Sequence, residues 1–149
     1  MRFKKYLLEN KFTAKEIIDK WNVVYKNYGS YPIPKNFQLF DKIKGSVKGT
    51  IDQLCYLNSL KKAKENPNIK LSVGVVFDKK VVERLLIGEK FINFSLHAWN
   101  IENNKVIDCT LGSSRNQIYL GVIVPETIVN KLEDGTDVRK YLFKLMGIK

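Results

Sequence analysis

The chain has 149 residues and a formal net charge of +11, and 44% of its residues are hydrophobic. This length suits one domain, predicted over residues 1–149, and the apolar fraction excludes a disordered chain. No apolar run reaches the length of a membrane span, and Glu9 and Asn10 interrupt the first apolar stretch, so neither a membrane protein nor a signal peptide is expected. Two cysteines in a chain of this size favour reduced thiols and a cytoplasmic location.

The basic charge admits a polyanionic partner, but the kind of basic residue argues against nucleic acid. Only four of the 26 basic residues are arginine, the side chain that supplies bidentate contacts to nucleic acid. The lysines are scattered, and their densest cluster, at Lys61, Lys62 and Lys64, falls on the solvated face of a predicted helix. We therefore expect a protein or peptide substrate, with nucleic acid as the less favoured partner and no membrane partner.

Residues 1–49 are predicted to form a helical and extended N-terminal segment. A capping box at Thr13–Glu16 begins an amphipathic helix that is expected to end near Gly29. The two prolines of Tyr31–Pro34 favour an extended chain. Residues 37–49, which contain two glycines, are predicted as a looser stretch.

A second capping box at Thr50–Gln53 predicts a helix that carries Cys55 near its N-terminus and stops at Asn66–Pro67. Helices that precede an antiparallel sheet indicate an α+β fold, with a core at residues 50–124 and C-terminal helices at 125–149. The elements predicted after Pro67 are a strand at 69–77, a short helix at 78–87, strands at 91–102, 105–111 and 117–124, and helices at 125–132 and 137–146.

The strands at 91–102 and 105–111 are joined at Asn103-Asn104, a pair that tolerates the positive φ of a tight turn. A two-residue turn sets Glu102 opposite Lys105, and side chains then alternate between two faces. One face is apolar and the other places Asp108 diagonally beside His97. The apolar face carries Phe94, Leu96, Ala98, Ile107, Cys109 and Leu111, and the other carries Ser95, His97, Trp99, Asp108 and Thr110.

This geometry brings the single histidine beside a carboxylate, which is the arrangement of an oriented catalytic base. A thiol near a helix N-terminus and an imidazolium forms an activated nucleophile. We therefore predict Cys55 as nucleophile, His97 as base and acid, and Asp108 as the group that orients His97. Each residue alone has an ordinary structural interpretation, and it is the combination in this chain order that favours the triad. Cys109, on the apolar face, is interpreted as a small hydrophobic residue.

Other residues near the triad have two interpretations each. Gln53 is an oxyanion donor or a capping side chain, and Asn58 is a supporting donor or a helix-packing residue. Trp99 shields the bond between His97 and Asp108 from water, or it packs as an ordinary core residue. One histidine and two widely spaced cysteines do not form a metal ligand set, so we expect no metal and no other cofactor.

The sequence Ser95-Leu-His97-Ala-Trp99-Asn, followed by Lys105-Val-Ile-Asp108-Cys-Thr110-Leu, resembles the transglutaminase-like pattern of His-Ala-Trp on one strand and Asp-Pro-Thr on the next. Cys109 stands where the pattern has proline. In that superfamily, and in papain-like enzymes more widely, a helix-borne cysteine precedes the histidine and the aspartate, as Cys55 does here. The resemblance covers residues 50–124 and is nearest to uncharacterised phage and bacterial proteins of this type.

The resemblance implies a papain-like fold and a cysteine hydrolase or acyltransferase. Its members include peptidases, amidases, deamidases and acyl transferases, so it implies a reaction class without a substrate. The alternative is a catalytically silent module of the same fold that binds a protein or nucleic acid. The basic charge and the lack of a visible substrate-pocket signature motivate that alternative.

Overall fold

The computed structural model describes residues 12–26, 31–42, 54–89, 94–108 and 117–148. In these ranges, none of the helices combines the length and the apolar composition that crossing a membrane requires. The described helices are α1 (Ala14–Lys26), α2 (Cys55–Glu65), α3 (Lys79–Leu86), α4 (Glu126–Val129) and α5 (Gly135–Leu145). The described strands are β1 (Gln38–Lys42), β2 (Lys70–Asp78), β3 (Ser95–Glu102), β4 (Lys105–Ile107) and β5 (Gln117–Ile123).

The strands form one sheet in the order β1-β4-β3-β2-β5, and β5 pairs with β1 so that the sheet closes on itself. The pairing of β1 with β4 is parallel, and the other pairings are antiparallel. Helices pack against the outside of this sheet. The prediction of an α+β fold is therefore confirmed.

The hairpin between β3 and β4 has the register that its turn predicts. Asn103 and Asn104 have φ values of 53° and 63°, the positive values that a tight two-residue turn requires. Glu102 pairs with Lys105, and Asn100 pairs with Ile107. The predicted partners of Leu96, Ala98 and His97, at positions 109–111, lie outside the described residues.

The N-cap predicted at Thr13 is also present. The backbone N–H of Glu16 donates to Thr13 Oγ1 over 3.1 Å, and the Thr13 hydroxyl lies 2.9 Å from Glu16 Oε1. The apolar stripe of α1 buries Ile17 and Trp21 completely. The local sequence predicts both features. A side chain accepts a hydrogen bond from a backbone N–H at the start of the helix, and the apolar face of the helix packs against the core.

Two boundary predictions differ from the structure. The predicted looser stretch at 37–49 contains β1, because pairing with β4 and β5, distant in sequence, supplies the order that the local pattern does not show. The helix predicted from a cap at Thr50 has its described α-helical start at Cys55, with Leu54 at the N-cap and no side-chain capping bond. The capping box Thr50–Gln53 itself lies outside the described residues.

Both faces of the closed sheet are buried, and they differ in character. The outer face packs against the helices through residues such as Leu71, Val73 and Leu120. The inner face holds a second cluster of Val76, Trp99, Ile101, Val106 and Tyr119. Gly121 leaves room for the Trp99 ring in this inner cluster, because a Cβ at position 121 would lie 2.7 Å from Cη2 of Trp99.

Candidate active site

The centre of the candidate site is an ion pair inside the closed sheet. His97 lies on β3 and Asp108 directly follows β4, and their side chains meet with His97 Nε2 2.7 Å from Asp108 Oδ2. The two residues are only 3% and 1% exposed. A hydrogen bond to a carboxylate in such a low-dielectric setting fixes the orientation of the imidazole.

A tyrosine that the sequence analysis did not identify completes this pair. The Tyr119 hydroxyl donates to the same carboxylate oxygen, Asp108 Oδ2, over 2.7 Å, and it lies 3.1 Å from Gln117 Oε1. Burial, together with the charge of Asp108 and the hydrogen bond to it, raises the pKa of Tyr119 well above its usual range, so the hydroxyl keeps its proton. The only sequence signal was a tyrosine among apolar residues of β5, because its approach to Asp108 depends on pairing between strands far apart in the chain.

Cys55 is the second residue, after Asp108, that acts on the imidazole. It is the first residue of α2 and is 6% exposed, and its thiol lies near enough to His97 to be one of the groups that raise the pKa of the imidazole. Because Asp108 occupies Nε2, the ring nitrogen left for the thiol is Nδ1. The structure thus brings together the three residues predicted as the triad.

The helix that carries Cys55 is fixed to the strand that carries His97. The buried side-chain amide of Asn100 on β3 donates to the backbone carbonyl of Ser59 on α2 over 2.8 Å. The same amide lies 3.3 Å from the carbonyl of Lys70 at the start of β2. A buried polar group that is satisfied in this way sets one position of the helix on the sheet, and with it the position of Cys55.

The charge state of the imidazole follows from its neighbours. Burial lowers the pKa of His97, but the hydrogen bonds and charges of Asp108 and Cys55 outweigh burial and raise the pKa to about 9. Near neutral pH the imidazole is therefore protonated. In that form both ring N–H groups donate, one to the carboxylate and one to the sulfur.

The other predicted site residues have different outcomes. Trp99 is fully buried and its ring lies 6.1 Å from that of His97, nearly parallel, and 5.1 Å from that of Tyr119. Its indole N–H has no hydrogen-bond partner within the described residues. Asn58 lies half-buried on α2, one turn beyond Cys55, and Gln53 lies outside the described residues.

Within the described ranges, no group of three or more histidine, cysteine, aspartate or glutamate side chains is arranged to hold a metal ion. Comparison of the chain with models of protein families, with curated proteins and with solved structures found no match. A fold alone does not determine a function, so the chemistry of Cys55, His97 and Asp108 carries the functional argument.

Proposed function

We propose that this protein is a cysteine-dependent acyl hydrolase or acyltransferase with a papain-like, transglutaminase-like arrangement of Cys55, His97 and Asp108. The observation that carries the proposal is the pair of His97 and buried Asp108, joined over 2.7 Å, with the Cys55 thiol near enough to the imidazole to raise its pKa. A nucleophile held by a base that is itself oriented by a third group is the general signature of covalent catalysis. The chain order of cysteine, histidine and aspartate, with the cysteine at a helix start and the other two on neighbouring strand ends, supports the same family of folds.

The reaction begins from a thiolate beside the His97 imidazolium, since a neighbouring imidazolium stabilises the thiolate. The Cys55 sulfur attacks the carbonyl carbon of an amide, and the carbonyl π electrons move to oxygen. When the carbonyl re-forms, the carbon–nitrogen bond breaks and the leaving amine takes the proton of His97. The products of this half-reaction are a thioester at Cys55 and a free amine.

The second half-reaction regenerates the enzyme. The neutral imidazole accepts a proton from water, whose oxygen attacks the thioester carbonyl, and the sulfur leaves as thiolate. Amide and water are thereby converted to carboxylic acid and amine, and the imidazolium is restored. An amine in place of water would give acyl transfer by the same steps.

The start of α2 supplies a means of stabilising the negative oxygen that forms in each attack. Backbone N–H groups in the first turn of a helix have no partner within the helix, and Leu54, the N-cap of α2 in the described part of the chain, supplies no side-chain cap. Because Cys55 is the first helical residue, these donors lie next to the reacting sulfur. Donors fixed beside a developing oxyanion are worth about 2.7–4 kcal/mol each in a comparable site.

The proposal is tested by the reactivity of Cys55. Intact protein is treated with iodoacetamide between pH 5 and 10, and peptide mapping separates the rate at Cys55 from that at Cys109. An activated pair requires that Cys55 react faster than a free thiol at neutral pH, with His97→Ala abolishing the advantage. A Cys55 rate equal to that of a free thiol would refute the activated pair.

Trapping of the acyl group identifies the substrate in the same experiment series. Protein incubated with cell lysate is digested, and mass spectrometry is used to find acyl adducts on Cys55. The matched control is Cys55→Ser in a separate incubation. If Cys55→Ala retains the full biological effect of the wild type, the alternative of a silent binding module replaces the enzyme.

A further inference from the structure

Strand β3 contacts the candidate site on one side and the helix of the nucleophile on the other. His97 meets Asp108 inside the closed sheet, whereas Asn100 faces the helices, because side chains an odd number of positions apart point to opposite faces of a strand. Asn100 is 1% exposed, and its amide donates to the Ser59 carbonyl of α2 over 2.8 Å. The strand that carries the base therefore also holds the helix that carries the thiol.

The carbonyl that accepts this bond lies one helical turn from the nucleophile. Cys55 and Ser59 are both buried residues of α2. Residues four apart lie on the same face of a helix, and they are about 6 Å apart along its axis. The Ser59 carbonyl and the Cys55 thiol therefore move together, and a shift of the helix at Asn100 displaces the thiol by the same amount.

The other contacts of α2 are less selective for its position. Leu60 and Ala63 pack in the outer core, and apolar contacts have no directional preference. Lys64 donates to the carbonyl of Leu132, but its long exposed side chain can follow a helix that slides. Successive carbonyls of a helix differ by about 1.5 Å in height and about 100° in direction, so a directional bond to one of them distinguishes neighbouring positions.

A second bond fixes the Asn100 amide itself. The same nitrogen lies 3.3 Å from the carbonyl of Lys70, the first residue of β2. An asparagine amide has two N–H donors, so one can be directed to α2 and the other to β2. The amide thus links the helix to two strands, and it cannot turn toward another carbonyl of α2 without losing its bond to β2.

We propose that Asn100 is a positioning residue, which selects the one register of α2 in which the Cys55 thiol meets His97. Register here means the position of the helix along its axis and its rotation about that axis. Without the amide the folded chain also populates neighbouring registers, in which the thiol is displaced by about 1.5 Å or more. A displacement of about 1 Å is enough to cost about 10²-fold in rate. The inference rests on the proposed function of Cys55.

The test is Asn100→Leu, which keeps a side chain of similar size and removes both donors. At neutral pH the iodoacetamide rate at Cys55, resolved by peptide mapping, should fall by about 10–10²-fold toward that of a free thiol. His97, the one histidine of the chain, supplies a second readout through its NMR titration. Its pKa of about 9 should fall in the variant, because the nearby thiol is one of the groups that raise it, while Asp108 keeps its own bond to the ring.

Asn22→Leu is the matched control. The Asn22 amide also makes two bonds to the backbone, since it donates to the Ile33 carbonyl over 3.2 Å and accepts the Ile33 N–H over 2.9 Å, but it lies on α1. Its loss should lower the urea midpoint and leave the rate of Cys55 and the pKa of His97 at their wild-type values. An equal loss of reactivity in this control would show a general effect of stability and overturn the positioning role.

The remaining outcomes separate the two proposals. Fast Cys55 and an unmoved His97 titration in folded Asn100→Leu overturn the positioning role alone. Slow Cys55 in the wild type overturns the proposed function and the inference that rests on it. Asn100→Ala replaces Asn100→Leu if circular dichroism shows that the leucine variant does not fold, and failure of both to fold overturns a role confined to the position of the thiol.

Discussion

The outer and inner faces of the closed sheet are both buried, but the outer face is packed with apolar side chains and the inner face also holds hydrogen-bonded polar groups. On the outer face, side chains such as Val73, Ala98 and Leu120 pack against helices and contribute through the apolar area that they remove from water. On the inner face, Trp99 and aliphatic neighbours surround a carboxylate, an imidazole and a phenol that bond to one another.

The difference shows how a buried face can hold polar groups. Asp108 accepts two short hydrogen bonds on one oxygen, from His97 and from Tyr119, so its burial does not leave an isolated charge. The surrounding apolar side chains exclude water and strengthen those bonds. Substitutions of apolar side chains on the outer face should therefore act on stability alone, whereas substitutions on the inner face should change the reactivity of Cys55 and, at His97, also the pH dependence of stability.

The largest effect is expected from Cys55→Ala, which removes the nucleophile. Acyl turnover should fall by on the order of 10⁴-fold or more, and His97→Ala should rank next because it removes both the proton donor and the partner of the thiolate. Turnover is measured with the substrate found by adduct trapping. Circular dichroism should show an unchanged fold in Cys55→Ala, and wild-type turnover in that variant would contradict the assignment.

Asp108→Asn tests whether Asp108 orients His97 or only packs on the inner face. The amide is nearly isosteric, but His97 loses its anionic partner, and turnover should fall by on the order of 10–10³-fold. This loss is smaller than in a serine triad, because an ionised sulfur depends less on a base for attack. Alkylation rates of Cys55 in both proteins supply a second readout. Equal reactivity and activity would show that Asp108 is only a structural residue.

Leu120→Ala is the matched change on the outer face. Leu120 is fully buried on β5, next to Tyr119 but facing the helices. Its truncation should lower the free energy of unfolding by about 2–5 kcal/mol, as measured by urea titration. At low urea, the alkylation rate of Cys55 should stay close to that of the wild type. A large loss of Cys55 reactivity without a loss of stability would contradict the assignment of stability to the apolar side chains of the outer face and reactivity to the inner face.

The raised pKa of His97 predicts how stability depends on pH. A pKa of about 9 in the folded chain, against an ordinary value of 6.5, means that protonated His97 stabilises the fold fully below about pH 6.5. That contribution is lost as the pH rises through about 9, and it amounts to on the order of 3 kcal/mol. Urea midpoints at pH 6 and pH 9.5 measure it. His97→Gln should lack this part of the pH dependence, and an equal dependence in both proteins would refute the shift.

The smallest effect is expected from Tyr119→Phe, which keeps the ring and removes the hydroxyl that donates to Asp108. Without this donor the carboxylate attracts the proton of His97 more strongly, so the alkaline limit of Cys55 reactivity should move to higher pH. Turnover should fall by roughly 10-fold or less, since imidazolium of higher pKa is a weaker acid toward the leaving group. An unmoved alkaline limit would leave Tyr119 with a packing role only.

Local features of the sequence determined the hairpin. Asn103 and Asn104 accept positive φ, and the alternation of side chains along paired strands then places Asp108 on the face of His97. The N-cap of α1 is local in the same sense, because Thr13 and Glu16 are three residues apart. These predictions succeed because few residues and short distances decide them.

Tertiary structure alone decided the rest of the site. The strand at Gln38–Lys42 exists through its pairing with β4 and β5, and this pairing closes the sheet over the inner face. Closure buries His97 and brings Tyr119 to Asp108, while the packing of α2 on β3 brings Cys55 to the imidazole. No local pattern encodes these approaches, because each depends on contacts between segments that are distant in the chain, and the energy of those contacts appears only when the whole sheet has closed.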